Sequence, residues 1–147
     1  MSDDLAYYSM PRRDIVELIP AQVDRALEIG CGVGNTLVML KEAGLIRWAG
    51  GVEIVPAPAA KAREQLDRVW EGNAENLDLE ADIEPGSLDL VILMDVLEHL
   101  VDPWEMIHRI MPWLSANGAI VANVPNVRNK NIVRKLVFGG RWDYEDE

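Results

Sequence analysis

The chain holds a single cysteine, Cys31. An internal disulfide is therefore excluded, and a reducing compartment, the cytoplasm, is the expected location. Basic residues are scarce as well: 14 Lys and Arg stand against 25 Asp and Glu, for a net charge of −11. A phosphate-backbone partner needs clustered Lys and Arg, so a small molecule is expected as ligand rather than nucleic acid. No apolar run approaches the roughly 20 residues that span a bilayer, and no membrane span is expected. The opening Met1-Ser2-Asp3-Asp4 is acidic where a secretory leader would be basic. Repeats, linkers and low-complexity stretches are missing. The 147 residues, 49% of them apolar, suffice for one domain with one core spanning the chain.

One further absence is local. Leu27-Glu28-Ile29-Gly30-Cys31-Gly32-Val33-Gly34-Asn35 joins an apolar run to a helical pattern through alternating glycines. A dinucleotide fingerprint would read Gly-x-Gly-x-x-Gly. Here the third glycine comes one residue early, at Gly34, and Asn35 stands where the fingerprint needs it. Glycines at a strand-to-helix turn allow a tight bend and let a ligand lie against the main chain. The helix that follows offers free N–H groups and a positive dipole end. Trp48-Ala49-Gly50-Gly51-Val52-Glu53 then reads as a second strand ending in an acid. Glu53 lies about twenty residues beyond Gly34, where a doubly wound fold places a carboxylate that accepts from ribose hydroxyls.

Along the chain, strands and helices alternate. A first helix is expected over Arg13 to Gln22, broken or kinked by Pro20, and a strand over Arg25 to Ile29. A helix runs from Asn35 or Thr36 to Glu42 and stops at Gly44; Trp48 to Glu53 follows as a strand, and Pro56 opens a helix to about Leu66. Arg68 to Trp70 is a short strand, and Leu77 to Ile83 is irregular with at most one helical turn. Leu88 to Met94 is almost wholly apolar, as a central parallel strand should be. Asp102 caps a helix that starts at Pro103 and reaches about Leu114. Asn117-Gly118 makes a turn, Ala119 to Val124 a fifth strand, and Lys130 to Phe138 a last helix ending at Gly139-Gly140. The pattern implies an α/β fold, a Rossmann-like doubly wound parallel sheet in the order 3-2-1-4-5. Ligands of such sheets bind beyond the carboxyl ends of the strands. Gly30, Glu53, Asn73, Asp95 and Asn126 each follow a strand, which points to one shared site.

Glu28-x-Gly30-x-Gly32-x-Gly34, followed by Glu53, resembles the first motifs of class I S-adenosylmethionine (SAM)-dependent methyltransferases. The stretch Asp95-Val96-Leu97-Glu98-His99-Leu100 resembles the segment after strand four in the ubiquinone-biosynthesis O-methyltransferases. The resemblance implies SAM as cofactor and S-adenosylhomocysteine as its product. It places Tyr8, Arg13, Glu28, Gly30, Cys31, Gly32, Gly34, Asn35, Glu53, Ile54, Asn73, Ala74, Asp95 and Val96 around the cofactor, and Glu98 and His99 at the reacting centre. Within it, Asn73 stands where an acid more often accepts from the adenine amino group, Ala74 lets adenine approach the backbone, and Arg13 pairs with the methionine carboxylate. Cys31 is read as a small residue against the cofactor rather than a nucleophile, and Glu75 as a helix-start or surface carboxylate.

Three roles remain open for His99. An imidazole titrates near neutral pH and can take a proton from a hydroxyl. It can equally orient the loop. If the segment is helical, Asp95, Glu98 and His99 at i, i+3 and i+4 share a face that could hold a divalent ion, although no resident metal is expected.

The segments Ala122 to Arg128 and Gly139 to Glu147 resemble methyltransferases linked to polysaccharide glycosyltransferases, which implies a saccharide-like or other small-molecule acceptor, methylated at oxygen. Relatives of that kind continue into two more strands. The expectation is thus a shortened sheet with strand five at its edge, covered by the stripe Ile132, Val133, Leu136 and Val137 or by a second copy in a homodimer. Two other readings stay open: a nicotinamide-dependent oxidoreductase, and a SAM-binding or partner-binding module without turnover.

Overall fold

A computed structural model describes residues 10–124. Five strands, β1 (Arg25–Ile29), β2 (Trp48–Glu53), β3 (Arg68–Glu71), β4 (Leu88–Leu93) and β5 (Leu114–Ala122), form one parallel sheet in the order β3-β2-β1-β4-β5. Three α-helices flank it: α1 (Asn35–Glu42), α2 (Pro56–Ala62) and α3 (Pro103–Ile110).

Alternation along the strands divides the core in two. Ala26, Ala49, Leu90 and Ile92 point to one face, where Leu37 and Leu40 of α1 and Ala62 of α2 pack. Leu27, Ile29, Val91 and Leu93 point to the other, against Met106 and Ile110 of α3 and the buried Trp113. Both faces of β1 and β4 are covered, which is why these strands read as nearly unbroken apolar runs. Gly50 and Gly51 of β2 are small for packing reasons. A Cβ on Gly50 would lie 2.4 Å from the Trp48 ring, and one on Gly51 2.5 Å from Cys31 Sγ.

Register decides where the site falls. Ile29 is opposite both Val52 and Leu93, Glu53 is opposite Glu71, and Leu93 is opposite Ala122. The five carboxyl ends therefore finish level, and the residues after them share one edge of the sheet.

Several boundaries differ from expectation. The N-terminal helix is only a 3₁₀ turn, Arg13–Leu18. Ile19, which precedes Pro20, is extended, because the proline ring disfavours a helical residue before it. Helix α2 stops at Ala62, and the Gln65 amide, in a tighter turn, and the Leu66 amide both donate to the Ala62 carbonyl. Helix α3 stops at Ile110, and Met111–Trp113 is a 3₁₀ turn containing Pro112, which has no N–H to continue the α pattern. Strand β5 starts at Leu114 rather than Ala119. Leu88 pairs with Leu114 but Leu90 pairs with Ala119, so Asn117-Gly118 lies in a bulge within the strand, not in a turn before it. The expected last helix, Asn126, Tyr8 and the C-terminal stripe lie outside the described residues. Among the described residues no helix is long and apolar enough to cross a membrane.

Candidate functional site

The turn after β1 is built on left-handed backbone. Gly30, Gly32 and Gly34 have φ of 75°, 55° and 88°, values that side-chain-bearing residues rarely adopt. The turn is tied to β2. The amides of Gly30 and Cys31 both donate to the Val52 carbonyl, at 2.8 and 3.1 Å. Glu53 completes the tie: its Oε2 accepts from the Gly32 amide at 2.8 Å and its Oε1 from the Val55 amide at 2.8 Å. Each carboxylate oxygen has two lone pairs, so each keeps capacity for a ligand hydroxyl. Ile54 beside it is exposed.

Glu28 ends on the α1 side of β1 and is 4% exposed. It hydrogen-bonds the Thr36 hydroxyl, while its Oε2 is buried without a partner among the described residues. Burial pushes its carboxyl up to about 8; Thr36 and the Arg12 charge act against the rise, and Glu53 adds to it. The Thr36 hydroxyl in turn accepts from the Arg12 amide at 3.2 Å.

Beyond β4 the chain turns sharply at Asp95, a non-glycine residue with φ of 55°. Its conformation is held from two sides. The Asn123 side chain, after β5, accepts from the Asp95 amide and donates to Asp95 Oδ1 at 2.8 Å. The Arg12 guanidinium donates to Asp95 Oδ2 and pairs with Asp14. Val96 packs over the glycine turn, its Cγ2 standing 2.7 Å from where a Gly30 Cβ would be. Leu97–His99 is a 3₁₀ turn with Glu98 and His99 exposed.

Beyond β3, Asn73 Oδ1 accepts from the Glu75 amide at 2.8 Å, and Ala74 is buried. Gln65 reaches the turn from below, donating to Asn35 Oδ1 at 3.3 Å. The sheet's carboxyl edge thus gathers Glu28, the three glycines, Glu53, Asn73, Ala74, Asp95 and Val96 from four strands.

Three expectations are corrected. The Cys31 side chain packs into the core rather than lining the open face of the turn: its thiol is buried against Gly51, and burial, reinforced by Glu28 and Glu53, raises its pKa well above the ordinary value. Such a thiol is not a nucleophile. Asp95, Glu98 and His99 do not share a helical face, because Asp95 is left-handed and the 3₁₀ turn begins only at Leu97. Among the described residues no cluster of three His, Cys, Asp or Glu is placed to hold a metal. Arg13 is exposed, and its neighbour Arg12 is the arginine that reaches the site. Nothing in the sequence separated the two, since they are adjacent in an irregular stretch. Asn123 was missed for a similar reason: its role depends on β5 finishing level with β4.

A concavity of about 500 Å3 opens at the opposite, amino-terminal end of the strands, lined by Gln22, Asp24, Arg47, Asp89, Ser115 and Asn117 among others. None of the glycine-turn or strand-end residues lines it.

The family description "Methyltransferase domain" matches residues 27–120, from β1 through most of β5. The chain belongs to the methyltransferase domain family. It is 27% identical over 123 residues to a trans-aconitate 2-methyltransferase of Escherichia coli, a match covering 80% of this chain and 46% of that protein. A ubiquinone biosynthesis O-methyltransferase of Azotobacter vinelandii is 29% identical over 123 residues, covering 80% of this chain and 51% of its own length. Among solved structures, a SAM-dependent methyltransferase from Thermotoga maritima superposes with a TM-score of 0.61 at 26% identity, covering 85% of this chain and 58% of its own. The chain spans about half the length of the curated relatives it matches.

The residues of this methyltransferase domain fit SAM, the donor named for the Thermotoga maritima structure. SAM carries a ribose diol, which needs acceptors, and a cationic amino group, which suits a buried carboxyl oxygen with no partner. Glu53 and Glu28 supply these, beside a turn where backbone replaces side chains.

Proposed function

We propose that this domain transfers a methyl group from SAM to an oxygen of a small-molecule acceptor, saccharide-like hydroxyl compounds included. The observation that carries the reading is the level finish of β1 to β4, which assembles the glycine turn, Glu53, Asn73 and the Asp95 turn at one edge. The relatives' names support a small-molecule acceptor, and one of them specifies oxygen.

When bound, the sulfonium supplies an already activated methyl. The chain's own work is seating, orienting and accepting a proton. Glu53 holds the diol while fixing the Gly32 amide. Glu28 faces the amino group. Arg12, held by its amide at the Thr36 hydroxyl of α1, reaches Asp95 and Asp14, and its guanidinium, rather than that of Arg13, meets the methionine carboxylate in this reading. The exposed Glu98 and His99 stand on the acceptor side, where an imidazole takes the proton released by a hydroxyl. Alignment of acceptor and methyl supplies most of the acceleration.

Calorimetric titration with S-adenosylhomocysteine and, separately, NAD tests the cofactor. Saturable heat with the first and none with the second is expected; no heat with S-adenosylhomocysteine overturns the reading. Labelled SAM is then offered with hydroxylated acids, phenols and sugars. Cofactor binding without transfer to any of them favours a binding module without turnover.

A further inference from the structure

Glu75, expected as a helix-start or surface carboxylate, has specific backbone partners. Its Oε1 accepts from the amides of Val101 and Asp102, at 2.9 and 3.1 Å. These amides belong to the loop joining the Leu97–His99 turn to α3. The Val101 side chain is 93% exposed, so packing of that side chain does not hold the loop there. Two N–H groups on one carboxylate oxygen are charge-assisted bonds, roughly twice as strong as neutral ones.

The segment bearing Glu75 is itself braced. Asn73 Oδ1 fixes the Glu75 amide. Arg109, from α3, donates to the carbonyls of Ala74, Glu75 and Leu77 at 3.1, 3.2 and 2.8 Å, and to both oxygens of Glu80 at 2.8 Å. Residues 73–77 are thereby a stiff bracket, and the Glu75 side chain is its arm toward the acceptor side.

We propose that Glu75 is a positioning residue: it couples the β3 loop, against which the cofactor's adenine rests, to the loop carrying Glu98 and His99, so that seating the cofactor orders the acceptor side. The proposal rests on the cofactor reading above. A bond that served the fold alone would stabilise the loop equally with and without cofactor. A coupling bond transmits occupancy from one loop to the other.

Residue-resolved amide hydrogen exchange on the full chain, with and without saturating S-adenosylhomocysteine, distinguishes the two. In the wild type the ligand should slow exchange at Val101 and Asp102 by about tenfold. Glu75→Ala should abolish that response, and so should Glu75→Asp, which keeps the charge but shortens the reach. Glu75→Gln, which keeps an acceptor oxygen in place, should retain a reduced response. Calorimetry should show S-adenosylhomocysteine affinity falling by less than about tenfold in all three. If Glu75→Ala fails to fold, Glu75→Asp carries the test. A wild type that binds the ligand with no change at Val101 and Asp102 overturns the proposal, as does a response that survives in Glu75→Asp. A wild type that does not bind S-adenosylhomocysteine overturns the cofactor reading and the coupling with it.

Discussion

Glu28 and Glu53 sit at neighbouring strand ends, and each is only 4% exposed, yet their surroundings differ. Both oxygens of Glu53 meet backbone N–H groups, whereas one oxygen of Glu28 meets none. Glu53 thus holds the turn and, on the function proposed above, the ligand's diol as well. Glu53→Ala should lower S-adenosylhomocysteine affinity by roughly tenfold to over a hundredfold, since hydrogen bonds to charged groups are worth about 1.5–3 kcal/mol. Titration calorimetry reads this directly, and parental affinity would move the ribose elsewhere. Gly32→Val should abolish binding for a different reason, because φ of 55° strains any β-branched residue while the core below is untouched. His99, exposed on its 3₁₀ turn, is where binding and chemistry can be tested apart. His99→Ala should leave cofactor affinity unchanged and slow methyl transfer by about 10²–10⁴-fold if the imidazole takes the proton. Unchanged turnover would assign it to loop structure.

Helix α3 shows how an element is specified and what depends on it. Asp102 Oδ1 accepts from the Glu105 amide at 2.9 Å, and Pro103 occupies the first helical position. Asp102→Ala removes a cap worth about 1 kcal/mol, which should lower Tm by about 2–4 °C in a chain of this size. A thermal scan checks it; no shift would mean the cap contributes nothing to global stability. This cap was legible in the sequence because Asp-Pro at a helix start acts locally. So were β1, α1 and β2, whose limits follow from an apolar run, a glycine turn and Gly44. The Leu114–Gly118 region was not legible. Its strand pairing depends on β4 lying alongside, and a bulge has no signature of its own beyond Asn-Gly, which equally marks a turn. The 3₁₀ turns at Arg13–Leu18 and Leu97–His99 escaped for a related reason: a period of three over so few residues leaves no pattern. At the site, strand-end placement identified positions but not side-chain directions. Cys31 turned inward, Arg12 replaced Arg13, and Glu75 reached to a loop 26 residues on.

At the scale of the whole molecule, the buried Glu28 and the paired surface acids act on stability from opposite ends of the pH range. Asp14, Asp24, Asp82 and Glu80 are held below their ordinary values first by hydrogen bonds from Arg12, Arg47, Trp70 and Arg109 respectively. Against the cost of burial, Ser115 and the amides of Asp24 and Arg25 do the same for Asp89, and Lys41 and the Ala49 amide for Asp67. A carboxyl depressed on folding binds fewer protons in the native state than in the unfolded chain. Its contribution is present above the ordinary carboxylate range and is lost as pH falls through the folded value. Glu28 has the opposite sign. Its folded pKa of about 8 exceeds the ordinary 4.5, so the native state holds an extra proton between these values. That contribution is complete below about 4.5 and is lost as pH rises through about 8. Arg12, Thr36 and Glu53 are the groups that face it, and the cationic Arg12 and the Thr36 hydroxyl soften the effect. Stability should therefore peak at about pH 5 and decline on both sides, with a loss on the order of 1–3 kcal/mol between about pH 6 and pH 8.5. Urea unfolding midpoints at acid, neutral and alkaline pH test the curve. Glu28→Gln, isosteric and uncharged, should flatten the alkaline limb and leave the acid limb as it is. An alkaline decline of the same size in Glu28→Gln would assign that limb to the repulsion of the net charge of −11 instead.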